Sequence, residues 1–287
     1  LVLALVLGEA IGWRNVFLIT GGVGVLLALV IWFGVRDAPR GQSEPELAEL
    51  SEIGIYRFDW RVARGLLRKR TLWPLFAQGF FGVFPWNVIT AWFFYYLEED
   101  RAYSSDSVLV TMSIAVLVLA GGYFLGGAAG DFFFKRTPRG RLLVCLVGVI
   151  SGAMFLALTI NVPVAEQGLF LLLLCATALF IPFCSPNVIA TVYDITEPEV
   201  RSTALAVQYF IENSGAALAP LLTGLLVREA GLTLGNAILV ICFTAWMISA
   251  VFVLLAFLIV PRDIAALRET MRARAGAAQA GVAGPEG

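Results

Sequence analysis

The chain has 287 residues, of which 59% are hydrophobic and only 14% charged, with a mean hydropathy of +0.85. Soluble domains carry charge on about a quarter of their residues, so this composition belongs to a membrane protein. Histidine is absent, which excludes His-ligated metal or haem and every catalytic scheme built on an imidazole base. The four cysteines, Cys145, Cys175, Cys184 and Cys242, lie in apolar stretches without C-x-x-C spacing and read as small buried hydrophobes. Net charge is −1, a total that says little because in membrane chains the placement of charge carries the signal.

Taken in chain order, residues 1–7 (LVLALVL) resemble the last turns of a helix. With no initiating Met and no basic n-region before the first span, the chain is expected to be a fragment that starts inside a span. Stretches free of Asp, Glu, Lys and Arg then run 15–35, 71–97, 107–130, 142–165, 167–193 and 230–261. A helix crossing about 30 Å of hydrocarbon needs about 20 residues, and all six are long enough. A seventh stretch, 202–227, is interrupted only by Glu212. With these spans the connections alternate between two sides. One side holds Arg14, Arg101 and Arg228; the other holds the remaining seventeen of the 20 basic residues, including eight in 36–70. The bias places the second side, and with it the C-terminus, in the cytoplasm.

The 36–70 connection starts acidic (Glu44, Glu46, Glu49, Glu52) and ends basic, as a junction between two halves would. Arg57, Arg61, Arg64 and Arg68 recur at helical spacing opposite Trp60, Ala63 and Leu67. The reading is a short in-plane helix that presents arginines to anionic lipid; a solvated basic linker is the alternative. The region 71–261 is read as a bundle of six helices, and 262–287 as a largely disordered tail whose last stretch, AAQAGVAGPEG, offers nothing to pack.

Gly122, Gly126 and Gly130 repeat every four residues beside Gly121 and Gly127, a small-residue stripe along which a neighbouring helix can approach closely. Immediately afterwards come Gly127, Asp131, Lys135 and Arg136, a glycine, a carboxylate four residues on and paired cations at the membrane edge. This stretch resembles the G-x-x-x-D-[RK]-x-G-[RK]-[RK] loop of the major facilitator superfamily, departing from it at Phe132 and Phe134. Gly12-Trp13-Arg14-Asn15-Val16-Phe17 is similar to the G-W-R-x-x-F opening of that superfamily's sixth span. Asp194 and the run Glu197 to Ala204 are similar to its loop between spans 10 and 11. The resemblance implies an all-α integral membrane fold in which the chain supplies the end of span 5, span 6 and the six-helix C-terminal half, spans 7–12, its N-terminal partner half being absent. Within the superfamily the flavour is similar to Spinster-like or organic-anion permease branches.

Glu212 is the most informative side chain, because a carboxylate inside a bilayer costs several kcal/mol unless it is paired, neutralised or wet. Ten residues from Ser202 place it about 15 Å deep, near the midplane. Gln208, Glu212, Gly215 and Ala219 share one helical stripe, a polar and small-residue face suited to a cavity between two transporter halves, with Asn213 beside it. A proton-coupling or substrate role and a structural interhelical hydrogen bond are both open for Glu212. Trp86, Asn87 and Thr90 on 71–97, and Asn187 after Pro182 and Pro186, are further candidates, with interhelical hydrogen bonding as the bland alternative. Gln78 is half a turn out of phase with Asn87, so both line one cavity only if Pro85 kinks the helix.

For Gly127, Asp131, Lys135, Arg136 and Arg201 the expected role is an inner gate, in which Asp131 pairs with nearby cations and with the N–H groups opening the span at Ser202. The alternative is a basic loop ended by a helix-terminating aspartate. Together these features predict a secondary transporter of a small organic solute, working by alternating access, with protons as the coupling ion and lipid as the surrounding partner. No cofactor, metal, enzymatic activity or nucleic-acid partner is indicated. A seven-helix receptor or a membrane scaffold is the competing class, although a retinal protein is excluded because Lys69 and Lys135 both lie in loops. Arginine outnumbers lysine 18 to 2, as in GC-rich prokaryotes, which suggests a prokaryotic cytoplasmic membrane.

Overall fold

The computed structural model describes residues 11–35 and 69–282, the side chains of 277–282 excepted. The leading LVLALVL and the 36–68 connection with its in-plane helix lie outside the described residues. Seven helical segments are long and apolar enough to cross a membrane, and no strand occurs among the described residues. They are α1 (Trp13–Gly34), the pair α2 (Leu72–Gly82) and α3 (Phe84–Glu99), then α4 (Ser105–Phe134) and α5 (Gly140–Ile160). The pair α6 (Gln167–Phe180) and α7 (Cys184–Ile195), α8 (Arg201–Ala230) and α9 (Leu234–Val282) complete the set.

The side chains of α1 are exposed apart from Val16. The other helices share one core, with α9 packed on α5, α2 and α3, α8 on α2 and α3, and α4 on α5 and α6. Its large, fully buried members include Phe93, Phe170, Leu75, Leu97, Leu142, Leu156 and Ile238. Outward-facing positions are apolar as well, among them Leu117, Phe124, Leu172 and Phe210, as expected where the solvent is lipid.

Two of the apolar blocks are broken rods. The span 71–97 divides at Val83 because Pro85 sits in the first turn of α3, where its missing N–H costs nothing. The span 167–193 divides at a 3₁₀ turn, Ile181–Phe183, containing Pro182. The glycine stripe faces this second break. A Cβ at Gly122 would strike the carbonyl oxygen of Leu179 and come within 2.7 Å of Pro182 Cγ, and one at Gly126 would lie 2.7 Å from Phe183 Cα. Close approach of α4 to α6 and α7 therefore requires glycine at both positions.

Both ends of the bundle are tied. At one end Arg101 donates to the carbonyl oxygens of Val162 (3.0 Å) and Pro163 (3.1 Å), and the Asp100 carboxylate accepts the Gly235 N–H at 3.0 Å. At the other, the Asp263 carboxylate accepts the Thr71 N–H at 2.9 Å, and Arg274 forks onto Glu199 (2.7 Å) and Glu197 (2.6 Å).

The last of these contacts differs from the disordered tail expected after residue 261. The helix α9 continues through Pro261 to Val282, with Ile264, Leu267 and Met271 buried. Alanine-rich sequence favours helix, and apolar positions three to four residues apart give the extension a face to pack, which a composition count does not register.

Candidate functional site

Glu212 stands on α8 against α2, with Gly79 leaving room for it and Gly82 and Gly215 leaving room for the groups around it. A Cβ at Gly79 would lie 3.0 Å from Glu212 Cγ and collide with the Gln208 amide nitrogen. A Cβ at Gly82 would lie 2.6 Å from Gln78 Nε2, and one at Gly215 would strike the Phe80 carbonyl oxygen. Gln208, 1% exposed, donates through Nε2 to Glu212 Oε1 at 2.7 Å and to the Leu75 carbonyl at 3.4 Å. Gln78, 6% exposed, donates weakly to Cys184 Sγ at 3.4 Å. The amide oxygens of Gln78 and Gln208 and the hydroxyl of Ser249 are buried without a hydrogen-bond partner. Buried acceptors left without donors are costly, and this cluster has hydrogen-bonding capacity that the described residues do not fill.

That cluster borders a cavity of about 240 Å³. Gln78, Gly79, Trp86, Tyr123, Ser185 and Glu212 are among its lining residues, and Glu212 is the only charged one among the described residues. It lies where the two broken rods face each other, since Gly82 and Val83 contribute from one break and Ile181 and Pro182 from the other. Discontinuous helices expose backbone to a cavity, which is a place where irregular backbone is tolerated at membrane depth.

The other sequence candidates divide. Trp86 lines the cavity, whereas Asn87 and Thr90 do not: Asn87 Nδ2 returns to the Val83 carbonyl at 2.9 Å and Thr90 Oγ1 to that of Trp86 at 3.0 Å. The break at Val83 re-phases the helix so that Gln78 and Trp86 share the cavity and Asn87 does not. Asn213 is exposed, bonded to the Tyr209 carbonyl at 2.7 Å. Asn187 is buried away from the cavity, where its Nδ2 donates to the carbonyls of Gly126 and Phe183, each at 2.8 Å. It is an interhelical bond on the glycine stripe, and a Cβ at Gly130 would collide with its Oδ1.

At the Asp131 end the cation that binds the aspartate is Arg141, which is not among the gate residues named from the sequence. Asp131 binds Arg141 at 3.0 Å, and the same guanidinium binds Asp194 near the end of α7. Arg141 lies over the Phe134 ring at 4.1 Å, with its side chain 14% exposed against 63% for Asp131. A single cation thus ties the ends of α4, α5 and α7. Arg136 lies over the Phe132 ring at 4.0 Å, Lys135 is exposed, and Arg201 donates to the Tyr193 carbonyl at 3.0 Å. No motif in the sequence links Arg141 to Asp131 and Asp194; ten and fifty-three residues separate them, so only the fold brings them together. A Cβ added at Gly127 would meet Pro186 only at an ordinary van der Waals distance of 3.8 Å, so this position does not require glycine.

Comparison with known proteins agrees with this architecture. Residues 1–165 match the sequence profile of the Major Facilitator Superfamily. The chain is 31% identical over 163 residues to a protein of Cupriavidus necator named "Probable sulfoacetate transporter SauU", covering 53% of this chain and 37% of that one. It is 23% identical to the hexuronate transporter of Bacillus subtilis, covering 77% and 53% of the two chains. In structure it is similar to a bacterial homologue of the human lysosomal transporter Spinster, solved inward-facing and unoccupied. The TM-score is 0.56 at 22% identity, over 88% of this chain and 60% of that one. The chain spans about half the length, or less, of the curated relatives it matches. With seven spans of membrane-crossing length and a profile match over more than half its residues, the chain is an integral membrane protein and belongs to the Major Facilitator Superfamily.

Proposed function

We propose that the chain forms the C-terminal side of a secondary transporter that moves a small organic solute by alternating access, with Glu212 as the proton-coupling group. The observation that carries this reading is the Gln78–Gln208–Glu212 cluster: a membrane-embedded carboxylate whose described hydrogen-bond partner is one glutamine, at a cavity between two broken helices. A group of this kind can exchange a proton with the cavity when it opens to water, and charge inside a span is otherwise expensive. The relatives named above suggest an organic acid as solute. The cavity's lining holds no lysine or arginine among the described residues, so the acidic group of such a solute would be met by the facing half. The Asp131–Arg141–Asp194 link would act as the inner gate on the cytoplasmic side, as the distribution of arginines indicates.

The test is Glu212→Gln in the full-length transporter, reconstituted in vesicles and assayed from about pH 5 to about pH 8, a window wide enough to titrate a buried carboxyl group. Uptake driven by a proton gradient should fall at least tenfold and lose its pH dependence, while solute exchange without a gradient persists. Gradient-driven uptake equal to that of the parent would exclude the coupling role.

A further inference from the structure

A second pocket, of about 360 Å³, lies at the end of the bundle away from Asp131, between the starts of α4 and α6. It is lined by Tyr103, Asp106, Ser107 and Gln167 around its polar part and by Val110 and Leu171 on its apolar part. Four observations give it a definite chemistry. Tyr103 is 7% exposed and its hydroxyl is buried without a hydrogen-bond partner. The helix α6 begins here with no side-chain cap, so its first-turn N–H groups are available, and a Cβ at Gly168 would meet nothing within 4 Å. Behind Tyr103 sits Arg101, 3% exposed, whose cation contacts are the Phe170 ring at 4.0 Å and the Tyr103 ring at 6.0 Å, with Nε unpartnered. Its hydrogen bonds run to carbonyl and hydroxyl oxygens, and none of the described ion pairs neutralises it. Asp106 is exposed in the first turn of α4 and is the one charged lining residue among the described residues, with the exposed Glu166 just outside the lining at the α6 N-cap.

We propose that this pocket is a binding site for the headgroup of a zwitterionic phospholipid bearing a primary amine, of the phosphatidylethanolamine type. The phosphate occupies the positive side, made by the α6 N-terminus, the orphaned Tyr103 hydroxyl and the field of buried Arg101. The ammonium donates to the Asp106 carboxylate. Lipid rather than a free phosphate is the occupant because the two helices that frame the pocket present exposed apolar side chains to the bilayer: Val110, in its lining, is 57% exposed, and Leu117 on α4 and Leu172 on α6 are 73% and 66% exposed, surface for an acyl chain. A soluble anion has no use for that surface and is repelled by Asp106.

The experiment uses the full-length transporter, delipidated and returned to bilayers of phosphatidylglycerol mixed with either phosphatidylethanolamine or its N-trimethylated counterpart, phosphatidylcholine. Lipid retention is read by native mass spectrometry. Phosphatidylethanolamine should be retained roughly tenfold over phosphatidylcholine, the factor for one charge-assisted hydrogen bond. Asp106→Asn, a change at an exposed position, should abolish that preference, and Tyr103→Phe should weaken retention of both lipids. Equal retention of the two lipids, retention of phosphatidylglycerol above phosphatidylethanolamine, or a preference surviving Asp106→Asn would each overturn the proposal. The outcome is independent of Glu212 and of transport.

Discussion

Arg141 shows how much one side chain can hold. It joins Asp131 and Asp194 and is largely buried over Phe134. Removing it leaves two carboxylates facing each other, and breaking such a part-buried pair costs about 1–3 kcal/mol, below the fully buried figure because Asp131 is largely exposed. Arg141→Gln should therefore open the Asp131 end more than Asp131→Asn does. Both variants should raise alkylation, from the Asp131 side, of a cysteine introduced at Ser185 in the cavity between the two broken helices, and accessibility equal to the parent in each would contradict the gate. Gly130→Ala should be more damaging than its size suggests, since the added methyl displaces Asn187 and its bond to Gly126. A loss of about 1–3 kcal/mol in thermal unfolding of the detergent-solubilised protein is expected from overpacking. An unchanged melting temperature would show that the α4–α7 contact gives way. Asn187 illustrates what residue types alone leave open. An asparagine in a span can bond another helix or a ligand, and the sequence does not reveal the two carbonyl partners that Asn187 has here.

Among the elements, α2 and α3 show best why a span is not always one rod. The apolar block 71–97 was legible in composition, and Pro85 marked a place where a kink would matter. Which polar groups then face the cavity depends on the size of the rotation at Val83, a quantity absent from residue spacing. The extension of α9 is the other case. Its polar, alanine-rich sequence reads as tail, yet Met271 is 1% exposed and Arg274 binds both Glu197 and Glu199. Truncating Met271→Ala should cost about 2–5 kcal/mol if the extension is part of the folded unit. Limited proteolysis with trypsin, which cuts after Arg268 and Arg272 only when the helix frays, checks this: parent should resist and the variant should be cut. Equal cleavage of the two would remove the extension from the core.

For the whole molecule, the connections on either side of the bundle are joined by contacts that never mix ends. Arg101 meets Val162 and Asp100 meets Gly235, while Arg141 meets Asp194 and Asp263 meets Thr71. An alternating thread is required for this. Cysteines at Glu99 and Pro138 in otherwise cysteine-free protein should accordingly react with an impermeant maleimide from opposite faces of oriented vesicles, with Pro138→Cys protected from outside. Labelling of both from one face would break the topology and every functional reading built on it.

The sequence by itself determined that the chain lives in a membrane, that seven stretches of the described residues are long and apolar enough to cross it, and that a carboxylate lies near the middle of α8. These follow from transfer free energies and the length of a helix needed to span hydrocarbon, both local properties of the chain. It also placed Glu212 with Gln208, because a helix repeats its faces at a known period. The tertiary structure alone decided that Gln78 completes that cluster and Asn87 does not, that Arg141 is Asp131's partner, and that Tyr103 and Asp106 border a common pocket. Each of these pairings depends on how one helix is rotated and set against another, and that choice is made by packing between elements distant in sequence rather than by any period within one.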